Sequence, residues 1–512
     1  MKKLFYLLFA FTSFVYSQTP ITDANFQTAI NTCLITNPTD GLCSDSEYGS
    51  MPGWDVSKVT NMNRAFWQKF KFNGDISSWD VSNVTNMYGM FERATSFNQD
   101  LNTWNMGSVT NMKEMFKDAS AFNGDISSWD VSNVTNMYGM FSSGTVGTTI
   151  AFNQDIASWD VTSVTDMSRM FSLSSFNQDI GAWDVSSVTY TIAMFMYAYD
   201  FNQDIGDWDV SSVIDMSGMF IHAHDFNQNI SDWDVSRVTN MGGMFNNAHS
   251  FNQDIGGWDV SNVTNMESMF KIASSFNQNI GAWDVSNVTV MNDMFYDATF
   301  FNADISQWDT SSLTMMYRMF YNATFFNSDI SSWDLSSVMN MNSMFSNANS
   351  FNQDIGAWDV SSVTNMNEML DNTNISIENY DAILKGWSSI QLKQNVTLGA
   401  RGLSYCNSVL ERQTLIMTYN WNIEDEGLDC SIASTVDSEY TLVTLYPNPT
   451  KDFLFINGIE NPVNINIYNL LGKEVMSAMT SNKVAVKSLP NGVYLIRIKD
   501  GLKETIKKFI KN

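Results

Sequence analysis

Residues 251–275 read FNQDIGGWDVSNVTNMESMFKIASS, and the chain repeats this text with small changes from about residue 51 to residue 370. Its apolar positions are Phe251, Ile255, Trp258, Val260, Val263, Met266, Met269, Phe270 and Ala273. The last four stand at i, i+3, i+4 and i+7, a spacing that gathers them on one face of a short helix, with Thr264 or Asn265 placed to cap it. Trp258 and Val260 straddle Asp259 with the alternation of a strand. Each coil is therefore expected to run as a short strand segment through FNQDIGGWDV, a turn at Ser261 and Asn262, and a helical turn or two through MESMF.

Tryptophan marks the period. It recurs at positions 54, 79, 104, 129, 159, 183, 208, 233, 258, 283, 308, 333 and 358, and all but two intervals are 25 residues. A fixed period of this size signals a solenoid, in which each unit buries its apolar face only by stacking on its neighbours. Thirteen coils stacked at about 4.8 Å would extend about 60 Å. The Met and Phe columns follow both the coil period and the spacing of a buried stripe, so they read as packed core and not as a cofactor box. Five extra residues enter within SSGTVGTTI, between Phe141 and Phe152, and one residue is missing between Phe171 and Phe176. The insertion follows the helical segment and is expected as a surface loop.

The ends depart from the array. MKKLFYLLFAFTSFVYSQ places Lys2 and Lys3 before an apolar run from Leu4 to Val15, then small Ser17, the form of a secretory signal peptide over residues 1–17. No other apolar run reaches the roughly 18 residues that a membrane span needs. ITDANFQTAINTCL reads as a helix begun near Thr22 or Asp23 in a cap over residues 18–50, ahead of the array at 51–370. Beyond Leu370 the repeat gives way to NISIENYDAILKGW and a further helix over YCNSVLERQTLIMTYNW, a second cap over residues 371–430. Caps are needed because an open end exposes apolar surface and unpaired edges. The cysteines fall as two local pairs, Cys33 with Cys43 and Cys406 with Cys430, and two disulfides are the natural reading in an exported chain. A shared zinc site would require the two ends of the array to meet, and the spacing of structural zinc ligands is absent.

A polar linker, beginning SIASTVDSEY, covers residues 431–442. The text then changes to LYPNPTKDFLFI, NINIYNLLGKEVM, LPNGVYLIRI and KETIKKFIKN, alternating apolar strands between Pro, Asn and Gly turns, which indicates a small β-sandwich over residues 443–512. The formal charge is -27; from Val443 onward ten Lys+Arg face five Asp+Glu, so this tail carries +5 and the remainder -32. Such an acidic passenger repels nucleic acid and anionic membrane and attracts cations or basic partners, and the same acidity keeps an exported chain soluble.

The unit FNQDIxxWDVSxVTNMxxMFxxA closely resembles the bacterial surface-protein repeat related to the BspA-like leucine-rich repeats, and the motifs after Val443, in their order and terminal position, look like the C-terminal sorting domain of the type IX secretion system. The resemblance implies a leucine-rich-repeat-like solenoid on an extracellular protein of a class associated with adhesion and with host or matrix contact. It also implies passage across the outer membrane of a Bacteroidetes-type bacterium, removal of the tail domain, and either release or attachment to surface polysaccharide. The expected fold is thus an α/β repeat solenoid, with a short strand and a short helix per coil, followed by a small all-β sandwich.

Candidate chemistry lies in the polar columns. Asp follows Trp in twelve of thirteen coils, from Asp55 through Asp359, with Asn105 the exception, and a second Asp column runs five residues earlier, from Asp75 to Asp354, with Asn229 and Asn279 in two of its places. Unit charges about 4.8 Å apart repel by roughly 0.9 kcal/mol even in water, so something should offset them. Two explanations stand. Each Asp accepts a hydrogen bond from the N–H two residues on, with Asn ladders such as Asn252 and Asn277 bonding between coils; or carboxylates of adjacent coils, with Asp234, Asp259, Asp284, Asp309 and Asp334 as candidates, share calcium, which prefers six to eight oxygens. The glycine-rich nonapeptide of calcium-binding β-rolls is missing.

The three histidines are His222, His224 and His249, and the last two are one period apart. Stacked on adjacent coils they would form either a transition-metal site or a pair of exposed turn residues. The sequence holds no phosphate loop, zinc-protease motif or nucleophile elbow, and repetition gives every Asp much the same environment, whereas an acid/base pair needs two different ones. The expectation is a non-enzymatic interaction or adhesion protein, secreted or attached to the cell surface, that binds a glycan, matrix or protein ligand and requires no cofactor, calcium excepted. The competing readings are an extracellular polysaccharide or protein hydrolase and a calcium-stiffened spacer.

Overall fold

The computed structural model describes residues 18–430, 443–459, 462–469, 473–500 and 503–512, so the signal peptide and the linker fall outside the described residues. The chain divides into two compact units, Met1–Asn262 and Val263–Asn512, and the division falls inside a repeat.

In the first unit, helix α1 (Phe26–Thr36) starts slightly later than the sequence suggests, with Asn25 at its N-cap position. The Cys33–Cys43 disulfide closes the loop that follows it. Asp23 then acts as a stand-in for a missing coil. Within the array the Thr85 N–H donates to the Thr60 carbonyl, whereas the Thr60 and Asn61 N–H groups donate to the Asp23 carboxylate at 2.8 and 3.1 Å.

The coils themselves differ from expectation: the Met-x-x-Met-Phe segments are not helical. In every segment but that of Phe141, where only Gly139 does so, two residues adopt the left-handed conformation, four positions apart and on either side of the buried Phe. Arg64 (φ 54°) and Gln68 (φ 58°) flank Phe66, and Gly218 (φ 64°) and His222 (φ 55°) flank Phe220. A left-handed residue costs about 1–2 kcal/mol and ends a right-handed helix. The backbone bonds that a helix would make are replaced by an alternating pattern. The N–H groups of Arg64, Phe66 and Gln68 donate to Tyr88, Met90 and Glu92 of the next coil, while those of Ala65, Trp67 and Lys69 close turns onto Met62, Arg64 and Phe66. Every backbone donor of the segment is therefore satisfied, half of them between coils. The strand expected through FNQDIxxWDV does not form, and the coils are instead joined by single parallel bridges at the position just before the Met-Phe segment, which run Asn61, Asn86, Asn111, Asn136, Asp166.

The apolar columns do pack as a core. Phe91 stacks on Phe66 and Phe116 at 5.3 Å and on Phe97 of its own coil at 4.0 Å. Along the array, buried Trp side chains donate their indole N–H to the previous coil, as Trp104 does to the Ile76 carbonyl at 3.0 Å, while Trp54 of the first coil donates to the Gly49 carbonyl. The insertion is a surface loop with Val146 exposed, and it ends at Ile150, which is buried and bridges to Ser174.

The second unit carries the same coil up to Leu370, with left-handed pairs such as Asp293 and Asp297, and Arg318 and Asn322. The C-terminal cap follows. Helix α2 (Ile377–Ser388) is started by the Ser376 side chain, which accepts from the Asn379 N–H. Its Trp387 donates to the Ile355 carbonyl and so takes the place of the next coil's Trp. Strand β1 (Thr397–Gly399) pairs in parallel with β3 (Asn422–Glu424), and β2 (Ser404–Tyr405) with β4 (Gly427–Leu428), around helix α3 (Val409–Tyr419). The Cys406–Cys430 disulfide closes this cap.

The last 70 residues form antiparallel sheets. Strands β5 (Thr444–Tyr446), β6 (Phe453–Asn457) and β9 (Lys483–Ala485) make a three-stranded sheet in the order β5-β6-β9. Strands β7 (Val463–Asn469), β8 (Glu474–Thr480), β10 (Gly492–Asp500) and β11 (Lys503–Lys511) make a four-stranded one in the order β11-β10-β7-β8. One buried cluster joins Leu454, Ile456 and Val484 of the first sheet to Ile465, Ile467, Ile496 and Phe509 of the second.

Candidate functional site

The Asp columns are built by the turns that carry them. Asp234, Asp259, Asp284, Asp309 and Asp334 each accept, through Oδ1, the N–H of the Ser two positions on, at 3.0–3.1 Å. The earlier column does the same, as Asp204 does with Gly206 and Asp304 with Ser306, and Asn229 and Asn279 serve equally well with their amide oxygens. The serine hydroxyl and N–H hold Asp234, Asp284 and Asp309 below the ordinary carboxylate value. These carboxylates point outward and are exposed, yet each is fixed by donors of its own turn. Among the described residues, no group of three or more His, Cys, Asp and Glu is disposed to hold a metal ion.

A further column runs along the FNQD segments. In the first unit the Asn98 N–H donates to Asn73 Oδ1 at 2.8 Å, and the same bond recurs from Asn227 to Asn202. The second unit repeats it from Asn302 to Asn277 and from Asn327 to Asn302. The inter-coil Asn bond is thus backbone to side chain, and the following Gln reinforces it, as Gln228 Nε2 does on the Asn202 carbonyl at 2.9 Å.

The three histidines do come together, all within the first unit. The His224 and His249 rings lie 4.8 Å apart, and the His222 and His224 rings 5.7 Å. Two tyrosines extend the row: Tyr197 stacks on His222 at 4.3 Å, and Tyr199 lies 4.9 Å from His224. Burial, then the neighbouring imidazoles, push His222 and His224 below the ordinary value. These rings are arranged as an aromatic row.

The second unit has an aromatic edge that the sequence reading did not single out. Phe300 and Phe325 are exposed and stack on each other at 5.6 Å, and Tyr296 stacks on Tyr321 at 4.7 Å. Behind them the buried Asp293 pairs with Lys271 at 3.1 Å and Arg318 at 2.8 Å, and both cations lie over the Tyr296 ring. The signal in the sequence was a local departure from the repeat: the residue before the buried Phe is Ser, Asp, Ala or Lys elsewhere but Phe at 300 and 325.

A family described as "Mycoplasma protein of unknown function, DUF285" matches residues 42–148, 145–224, 202–300 and 273–387, which together span most of the chain. A second, described as "Secretion system C-terminal sorting domain", matches residues 444–512. No curated protein matches the chain. No helix among the described residues is long and apolar enough to cross a membrane.

Proposed function

This chain belongs to the DUF285 family of BspA-like repeats and ends in a type IX sorting domain, which makes it a secreted or cell-surface protein, and on that premise we propose that it is a non-enzymatic interaction protein. The repeat array acts as a leucine-rich-repeat-like solenoid that presents acidic rows to a glycan, matrix or protein ligand, and the tail domain engages the secretion machinery. The observation that carries this reading is the uniformity of the carboxylates. Each Asp after Trp makes the same bond to its own turn, so no pair has the two contrasting environments that acid/base hydrolysis requires. Side chains spent on repeating turns build a surface and leave the choice of ligand to the positions that break the repeat.

The test is binding of the full-length protein to immobilised polysaccharides and matrix proteins. Saturable binding is expected, and it should weaken when the row Asp284, Asp309, Asp334 and Asp359 is changed to Asn together, and not when one member is changed. Turnover of any such polymer that a single Asp substitution abolishes would overturn the reading in favour of a hydrolase.

A further inference from the structure

We infer that the coils carrying Phe300 and Phe325 form a binding site for a neutral glycan, with the open face of Phe300 as the platform for a pyranose ring and a polar groove beside it as the hydroxyl-binding wall. This rests on the interaction reading above and names its ligand class.

Two departures from the repeat coincide in these coils. The first is the pair of exposed rings. Phe300 is 55% and Phe325 50% exposed, and large apolar groups held in the open by a rigid backbone mark a contact surface. The neighbouring Phe301 stacks on Phe276 and Phe326, so the coil of Phe300 lies between those two coils. On one side Phe300 has Phe325. On the other, the corresponding residue is Ser275, too small to cover the ring.

The second departure is the loss of a side chain on that same uncovered side. Elsewhere in this unit Gln353 Nε2 reaches back to the carbonyl and Oδ1 of Asn327, at 2.8 and 2.9 Å. At the equivalent place in the Phe300 coil stands Ala303. A groove of about 450 Å³ opens there, lined by Asn277, Asn279, Asn302, Ala303, Asp304 and Gln307. It runs between the coil of Ser275 and the coil of Phe300, and Asn302 is only two residues beyond Phe300.

An aromatic face beside a row of amides and one carboxylate has the chemistry of sugar recognition. The electron-rich ring face takes the C–H face of a pyranose, and the amides and Asp304 offer donors and acceptors to its hydroxyls. A protein hot spot would need a broader apolar centre, and here most of the lining is polar. The net charge of -27 repels sulfated and uronic polymers, which leaves the neutral ones.

The experiment titrates the full-length protein calorimetrically with neutral six-residue oligomers of glucan, mannan and xylan, and with a polygalacturonate oligomer of equal length. At least one neutral oligomer is expected to bind and the polygalacturonate is not. Phe300→Ala, which removes the platform, and Ala303→Gln, which restores the repeat side chain and fills the groove, should each weaken binding by about tenfold or more. Both should leave the melting temperature of the protein within error, because neither position is a core position. Binding unchanged in both variants, binding of the polygalacturonate alone, or no binding of any oligomer would overturn the assignment. If no sugar binds but an immobilised matrix protein does, only the glycan site falls; if neither binds, the interaction reading falls with it.

Discussion

Within the second unit, the array coils and the C-terminal cap share a register and fold it in opposite ways. Thr397 of β1 pairs with Asn422 of β3, 25 positions on, so the cap keeps the period of the array. In the cap, α2 and α3 are helices of 12 and 11 residues. They stand where the array has its FNQDIxxW segments, which are irregular, while the Met-Phe segments of the array are turns flanked by left-handed residues such as Asp293 and Asp297, and β1 takes the place of such a segment in the cap. Helix α2 has what a helix needs: Ser376 as N-cap, Glu378 in the first turn and Lys385 in the last. The array segments are too short to offset the cost of helix nucleation, whereas turning allows alternate N–H groups to reach the next coil. What distinguishes the two regions is the segment before the Trp: its backbone bonds close along a helix in α2 and α3, whereas β1 and β3 keep the outward, coil-to-coil bonding of the array.

The sharpest break in this comparison comes from the array core. Phe320 is fully buried and stacks on Phe295, Phe345 and Phe326, the last at 3.9 Å. Phe320→Ala should cost about 3–5 kcal/mol in chemical denaturation, because the cavity is shared by three coils that cannot collapse singly. The cap should be sensitive instead at a polar position. Asp381 of α2 is buried and accepts from the Cys406 and Asn407 N–H groups and from the Ser408 hydroxyl. Asp381→Ala leaves those donors unsatisfied and should cost about 2–3 kcal/mol.

A second pair of substitutions should change sign between the regions. Ile272 is a β-branched residue held at φ 58°, a place where other coils carry Asn247, Asn322 or Asn347. Ile272→Asn should raise stability by about 0.5–1 kcal/mol, since Asn tolerates the left-handed conformation and Ile does not. The same residue placed in the exposed turn of α2, by Lys385→Asn, should lower stability by about 0.5 kcal/mol through helix propensity. Equal signs in the two melts would mean that the conformational difference does not govern stability here.

The period, the buried Trp, Met and Phe columns and both disulfides were legible because each rests on spacing alone, which translation along a stack preserves. The helix was misread for a physical reason. Met266, Met269, Phe270 and Ala273 fit a helical stripe, but apolar spacing reports only which side chains face inward, and a left-handed residue such as Ser268 at φ 56° satisfies the same demand. Asn at this kind of position in four coils was the available hint. The aromatic edge at Phe300 and Phe325 was missed because reading by consensus discards departures from it, and those departures are where a repeat protein can differ from its neighbours. The histidines were found through their rarity, but their tyrosine partners were not, since Tyr197 and Tyr199 belong to the preceding coil.

The smallest expected effect concerns acid, and again the two regions should oppose each other. In the array, bonds from the serine hydroxyl and N–H hold Asp284, Asp309 and Asp359 below the ordinary value of 3.8. A depressed folded value means that the carboxylate's contribution is complete above 3.8 and is lost as pH falls through the lower folded value. In the cap, burial raises Asp371 above 3.8 against the pull of Arg401, so its contribution is complete below 3.8 and is lost as pH rises through the folded value. The array carries the larger number of such groups, so thermal melts should shift downward as pH is lowered below about 4, by modest amounts because these side chains are well hydrated. Asp309→Asn should remove part of that acid loss while leaving stability at pH 7 within about 0.5 kcal/mol, since Asn105, which follows Trp104, shows that an amide oxygen accepts the same turn bond. Asp371→Asn should do the opposite and deepen the relative loss on acidification. If both variants flatten the acid limb, the turn bonds of the array are not what sets it, and relief of repulsion along the carboxylate row would have to be the larger effect.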